Sequence, residues 1–434
     1  MELGTKLDSL SHRTLSVAIA SMCLIGFLFQ AAYYYPGGIS HDAEVAFRAF
    51  IENRQDDWHS PLLSVWQLLF DLSLPSSTYP AGPAFSVTAM FWLGLWLFST
   101  GLLTYGRIAA PLIPLIGWFP PLFMFMPVFG KDSILVACFT LCIGCSMHIR
   151  RADGHKIMWL VMIGLCCLAA ITIRTNSIFA VLPLLFFAIS RTIPLTSFFR
   201  HCVATLAIWF ALLGMSQVIT YNLLKAEKSY SLQYVIISDL FALNLVRDEF
   251  VLPDILLENT PALTEQVFRD RHTMTPKVDW ALWGERDINL YMVSNEAEFQ
   301  ALRDFWLDRV IADPSGYIEV KVEFFSQLMS NKGNSLYRWL LFHGWVYLIV
   351  LVTIGLWFCA RLLRRNTGVL NQLGTALAAS GLLYLLPYTL LQGGANFRFL
   401  LWTIGATALM GVTFVASILS KRQSDTNNEG YAPN

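Results

Sequence analysis

Two stretches of this 434-residue chain concentrate side chains that could do chemistry in a sequence otherwise dominated by apolar residues. Ser40-His41-Asp42 and Asp57-Trp58-His59-Ser60-Pro61 both fall in a polar loop over about 36–83. Three further charges stand at the ends of apolar runs: Lys131 in Lys131-Asp132, Arg174 in Ile173-Arg174-Thr175-Asn176, and Arg398 in Asn396-Phe397-Arg398-Phe399. A positioned carboxylate can take the proton of an acceptor hydroxyl. Lysine and arginine can neutralise a departing phosphate, arginine in bidentate fashion. Together they suit attack on a phosphate-activated group, and a phosphate carried by a membrane lipid would lie at this depth. The pair Gly393-Gly394 just before Arg398 would let backbone approach a ligand closely, and a plain loop turn explains it as well.

The elements that must hold these residues are membrane helices. Hydrophobic residues make up 55% of the chain, charged residues 14%, and the mean hydropathy is +0.52, too apolar for one soluble core. About ten apolar stretches are long enough to be read as spans, near 14–35, 84–106, 108–128, 133–149, 157–173, 176–190, 201–223, 339–360, 370–391 and 398–419. The expected fold class is therefore an all-α polytopic membrane protein with about ten transmembrane helices. Residues 1–223 would form an N-terminal transmembrane module and 339–420 a C-terminal one. Between them, 224–338 is expected to fold as a mostly helical extracytoplasmic domain, with apolar residues at helical spacing through Phe299, Leu302, Trp306 and Val310 and tryptophans at 280 and 283. The polar end, 421–434, is expected to be a disordered tail.

Charge orients the chain. With the N-terminus cytoplasmic, the inner short loops and ends carry thirteen Lys and Arg residues against five in the outer short loops. Both termini are then cytoplasmic, and both polar regions face outward, periplasmic in a bacterial inner membrane. Asp42, Asp57, Lys131, Arg174 and Arg398 all come to one face. Ionisable groups at bilayer depth are costly and are functional candidates by default.

Plainer roles exist for all of these but Arg398, an outer charge against the positive-inside trend and so less easily an anchor. Asp42 is placed to cap a helix over Ala43 to Asn53. His41 and His59 are also explained as interfacial polar residues, and Asp57 as loop solvation. Lys131 and Arg174 are long enough to snorkel at helix ends. The tyrosine run 33–35 reads as part of an aromatic belt. The zero net charge gives no attraction to nucleic acid. No HExxH, DxD or paired CxxC pattern supports a metal, so no cofactor is expected, and no glycine-rich phosphate loop follows a strand. Cys142 and Cys145 have CxxC spacing inside an apolar run, where helix packing is the simpler reading.

With these residues in view, the chain resembles the GT-C superfamily of integral-membrane glycosyltransferases. The likeness is carried by Gly38-Ile39-Ser40-His41-Asp42, Asp57-Trp58-His59-Ser60-Pro61-Leu62, Asn396-Phe397-Arg398-Phe399-Leu400, and Asp313-Pro314-Ser315-Gly316-Tyr317 with Lys321. The resemblance implies a polyprenyl-phosphate-linked sugar donor, a glycan or lipid-linked acceptor, and Asp42 as catalytic base. It implies donor-phosphate contact by Arg398 with Lys131 and Arg174 as helpers, and His59 lining the pocket; His41 and Asp57 are further candidates for substrate binding. Ala43 follows Asp42 where relatives carry a second acid, and Ser60 stands where they have proline. A surface-polysaccharide polymerase or ligase, and a transporter or flippase, are the competing readings.

Overall fold

The computed structural model describes residues 11–71, 79–149, 154–192, 198–275, 288–330, 341–391 and 396–429, the last nine as backbone. Gly393 and Gly394, and the tryptophans at 280 and 283, lie outside the described residues. Among the described residues the regular elements are helices, except for one two-stranded ladder. It divides into two units. The first comprises Met1–Ala226, Val346–Tyr384 and Leu400–Asn434, and the second Glu227–Trp345 and Leu385–Phe399.

The first unit opens with α1 (His12–Tyr33), capped by Ser11, whose Oγ accepts from Thr14 N at 3.0 Å. After β1 (Gly38–Ile39) come α2 (His41–Ile51), α3 (Pro61–Asp71) and α4 (Ala81–Leu102). Then β2 (Val128–Phe129) leads into α5 (Lys131–His148), α6 (Lys156–Ile173), α7 (Ser177–Thr192) and α8 (Phe198–Gln217), which ends in a π turn over Val218–Leu223. α5 is the axis of this unit. It is buried from Asp132 to Met147 and packs closest on α4. That approach requires small residues. A Cβ on Gly94 would stand 2.7 Å from Leu141 N, and one on Gly144 2.7 Å from Gly94 O.

The expected span over 108–128 is not one helix. Prolines 111, 114, 120 and 121 break it into a 3-10 turn (Ala110–Leu112) and short helices Ile113–Ile116 and Pro120–Phe125. Backbone carbonyls along this stretch and at its exit into β2 and α5 accept side-chain donors, as a low-dielectric setting demands. Ser99 Oγ donates to Ala110 O at 2.7 Å, Gln30 Nε2 to Phe123 O at 2.8 Å, Thr88 Oγ1 to Met126 O at 3.3 Å, and Ser133 Oγ to Val128 O at 2.6 Å. Gln30 is itself fully buried on α1, and its Oε1 accepts from Trp92 Nε1 at 2.7 Å.

The second unit is helical and built on α9 (Leu232–Arg247), with α10 (Asp254–Asn259), α11 (Glu265–Arg271), α12 (Glu296–Ala312) and α13 (Pro314–Met329). Its core gathers Ile236, Leu240, Phe241, Leu256, Phe268 and Leu302. Gln233 binds both backbone groups of Val293, accepting at 2.7 Å and donating at 3.1 Å, and so anchors an irregular stretch to α9. The chain continues through α14 (Gly344–Leu363), α15 (Val369–Leu390), a 3-10 turn (Phe397–Leu400) and α16 (Leu401–Glu429). The last helix runs on to Glu429, into the 421–434 stretch expected to be a disordered tail; residues 430–434 lie outside the described residues.

Among the described residues, seven helices are long and apolar enough to cross a membrane: α1, α4, α6, α8 with its π turn, α14, α15, and the segment Phe397–Ser420. Only 17% of the α8 segment and 22% of α14 are covered by protein, so those flanks are left for lipid.

Candidate functional site

The site is organised by the smallest element in the fold. β1 and β2 pair in parallel, Gly38 with Val128 and Ile39 with Phe129, although 90 residues separate them. Gly38 N donates to Pro127 O at 3.0 Å and Ser40 N to Phe129 O at 2.8 Å. Gly37 turns the chain into the ladder at φ +92°, where a Cβ would meet Ala84 at 2.5 Å. Each strand runs directly into a helix. Ser40 caps α2, its Oγ accepting from Ala43 N at 3.3 Å. The sequence reading offers Asp42 as that cap; the structure gives the role to Ser40 and leaves Asp42 in the first turn, half-buried. Gly130 caps α5, and a Cβ there would lie 2.5 Å from Ser40 Oγ. The two caps touch, so the first turns carrying Asp42 and Lys131 start side by side.

The loop before α3 closes over this point. Asp56 Oδ1 accepts from Trp58 N at 2.9 Å and His59 N at 3.4 Å, an Asx turn that aims both side chains. Burial pushes the Asp56 carboxyl above its ordinary range, against the opposing pull of those two N–H groups. Lys131 Nζ donates to Trp58 O at 2.8 Å and meets His59 Nδ1 at 3.0 Å. An ammonium has only donors, so His59 Nδ1 accepts and the ring proton sits on Nε2. Asp57 Oδ2 accepts from Tyr221 OH at 2.7 Å, and Gln55 Nε2 donates to Leu224 O at 2.8 Å. Both bonds tie the loop to the π turn that ends α8.

Beside Lys131, Asp132 is buried and forms an ion pair with Arg174 at the α6–α7 turn, and Tyr384 OH donates to its Oδ1 at 3.4 Å. Five of the seven sequence-nominated residues therefore belong to one neighbourhood of the first unit: Asp42, Asp57, His59, Lys131 and Arg174. His41 shares the first turn of α2 with its side chain exposed. Arg398 belongs to the second unit. There its guanidinium lies 5.4 Å from the Phe399 ring, which stacks on Tyr388. Among the described residues, no group of three or more His, Cys, Asp or Glu side chains could hold a metal ion.

Sequence reasoning missed Asp56, Tyr221 and Tyr384. Asp56 had a signal, because an aspartate two residues before Trp58 is the pattern of an Asx turn. The tyrosines had none beyond interfacial aromatic character.

The Asp313-Pro314-Ser315-Gly316-Tyr317 motif has a structural account in the second unit. Asp313 caps α13, accepting from Gly316 N at 3.0 Å, and Pro314 takes the first helical position. Arg247 engages the same carboxyl, Nε donating to Oδ2 at 2.5 Å, and holds it well below the usual carboxylate range. Tyr317 lies 5.1 Å from Lys321 Nζ, which donates to the fully buried Asp239 at 2.6 Å.

The fold defines the class: this is a multi-pass α-helical membrane protein. No family model, no curated protein and no solved structure matches the chain.

Proposed function

We propose that the chain is a glycosyltransferase that moves a sugar from a polyprenyl-phosphate carrier to a glycan or lipid-linked acceptor at the outer face of a bacterial inner membrane. One observation carries this reading: the touching caps Ser40 and Gly130 start a carboxylate-bearing helix and an ammonium-bearing helix together, where the apolar helices give way to polar loops.

In the proposed step the acceptor hydroxyl oxygen attacks the anomeric carbon as the bond from that carbon to the phosphate oxygen breaks. Asp42 takes the hydroxyl proton, and the lipid phosphate leaves as an anion with Lys131 compensating its charge. His59, held by Lys131, offers its Nε2–H to the sugar or phosphate. Asp57 positions the loop through Tyr221. Arg174 is partnered by Asp132 and acts as a positioning residue for α5's first turn. His41 stands at the rim. The remaining apolar segments, including the proline-broken one, complete ten crossings, with both termini cytoplasmic and the second unit outside.

The test is transfer by the purified full chain in lipid nanodiscs, supplied with polyprenyl-phosphate hexoses and cell-surface glycan acceptors. Asp42→Asn should lower turnover by about 10²–10⁴-fold, the usual contribution of a general base, with an unchanged melting temperature. Undiminished transfer by that variant would refute the assignment. Loss confined to Arg398→Ala would favour a polymerase or ligase that works through outer arginines.

A further inference from the structure

The far end of the first unit carries a second polar feature with no part in the proposed transfer. α5 is 18 residues long, so its two ends lie about 27 Å apart. Lys131 and His59 mark one end. At the other, Arg191 Nη2 donates to Ile149 O at 3.3 Å and to Tyr105 OH at 2.7 Å. Tyr105 is also on the wall of a groove of ≈ 340 Å³, with Arg361, Asn366 and Asn371 from the α14–α15 hairpin and Ser417 and Ser420 from α16.

The polar groups of this groove divide into those satisfied by one another and those with donors to spare. Asn371 Nδ2 donates to Asn366 O and Oδ1, both at 2.9 Å, and Ser417 Oγ donates to Asn371 Oδ1 at 3.5 Å. Ser420 Oγ donates to Ser417 O at 3.2 Å. These groups satisfy one another and fix the wall. Arg361 donates one N–H to Ser417 Oγ at 3.3 Å, and its guanidinium rests 4.8 Å from the Trp357 ring. A guanidinium has five N–H donors and no acceptor. Tyr105 OH already accepts from Arg191, which leaves its own hydrogen to give. Among the described residues the lining is thus rich in donors and holds no carboxylate. Arg364 and Arg365, both exposed in the α14–α15 turn, add positive potential around the mouth.

We propose that this groove binds a phosphate-ester anion, with Arg361 and the Tyr105 hydroxyl donating to its oxygens. Phosphate supplies acceptors for the donors left over on Arg361 and Tyr105, and arginine suits it in bidentate geometry. Two sources share this chemistry: the headgroup of an anionic lipid, and a soluble phosphate ester.

The experiment uses the full chain in phosphatidylcholine nanodiscs. One arm adds phosphatidylglycerol and counts retained lipid by native mass spectrometry. The other adds glycerol 1-phosphate to discs without anionic lipid and follows the thermal midpoint. Binding in the first arm alone identifies a lipid headgroup, and binding in the second identifies a soluble ester. In whichever arm responds, Arg361→Gln should weaken binding at least about fivefold, the effect of losing one basic side chain at a membrane surface. Asn366→Asp keeps both acceptors used by Asn371 and places a negative charge at the exposed rim. It should weaken binding comparably without disturbing the fold. No response in either arm, wild-type binding by both variants, or loss only on Arg364→Gln with Arg365→Gln would overturn the proposal; the last pattern means diffuse surface attraction.

Discussion

Replacing His272 with phenylalanine should expose a pH dependence that the wild-type second unit conceals. His272 follows α11 with 5% of its surface exposed, stacked on Phe268 and edge-on to Phe241. Burial among those rings lowers its pKa from 6.5 to about 4. The neutral ring is favoured in the folded state, so its stabilisation is complete above pH 6.5 and is lost as pH falls through 4. At about 1.36 kcal/mol per pKa unit, that is roughly 3 kcal/mol. Asp239, two residues before Phe241 on α9, works in the opposite sense. Burial raises its pKa from 3.8 to about 6, against the pull of Lys321. Its protonated form is favoured on folding, so that contribution is complete below pH 3.8 and lost as pH rises through 6, again roughly 3 kcal/mol. Between pH 4 and 6 the two effects offset, and wild-type stability should be nearly level. In His272→Phe the offset from the histidine is gone while Asp239 still titrates there, so α9 should gain roughly 3 kcal/mol on acidification from pH 6 to 4. Asp313 and Glu298, both held low, act mainly below that window and cancel between the two proteins. Hydrogen exchange of the α9 amides in the full chain, corrected for intrinsic rate, reads the slope directly. Any packing cost of the larger ring shifts the whole curve and leaves its slope alone. A variant profile as flat as the wild type would refute the reasoning.

The remaining predictions concern the first unit. Gln30→Leu strands Trp92 Nε1 and Phe123 O in apolar surroundings, at roughly 1–3 kcal/mol for each orphan, and thermal unfolding in detergent should show the drop. Gly94→Val drives side-chain atoms into the α5 backbone, so α4 and α5 must part; expression should fall, and a cysteine pair across that crossing should cross-link less efficiently. Asp132→Asn should cost roughly 3–5 kcal/mol by leaving Arg174 without its buried anion, whereas Asp132→Leu with Arg174→Met should recover most of that stability. If the pair only positions α5, transfer by the double variant should fall in turnover more than in donor affinity, and intact kinetics would argue that the pair is scaffolding.

How much of this was legible in the sequence depended on the length of each signal. Long apolar runs such as 14–35 and 201–223 give period and hydropathy over many residues, and they returned as α1 and α8. The run 108–128 has the hydropathy of a span, yet its four prolines remove backbone bonds that a single regular helix needs, and buried partners such as Gln30 and Ser99 support the broken path. A glutamine inside an apolar helix was the available clue. In the site, residue types were readable and neighbours were not. The ladder that joins residues 38–39 to 128–129 is too short to show any alternation, so nothing along the chain indicates that Ser40 meets Gly130. Likewise Asp57 and Asp56 are adjacent and alike. Only the fold distinguishes the one that meets Tyr221 from the one that caps Trp58 and His59.

The ladder also explains why chemistry can sit at this spot. A reacting carboxylate and a compensating cation must keep their separation to within a fraction of an ångström, and loops alone hold such groups poorly. Here Ser40 and Gly130 are each one residue from a strand and one residue from a helix, so the two helix starts inherit the register of the backbone bonds between β1 and β2. Any side chain at position 130 would push Ser40 away, and α2 with it. Gly130 is therefore the residue whose substitution separates geometry from chemistry. Gly130→Ala retains Asp42, Lys131 and His59 unchanged yet moves one helix start against the other. A marked loss of transfer in a folded Gly130→Ala protein would tie function to that spacing, and wild-type transfer would break the tie.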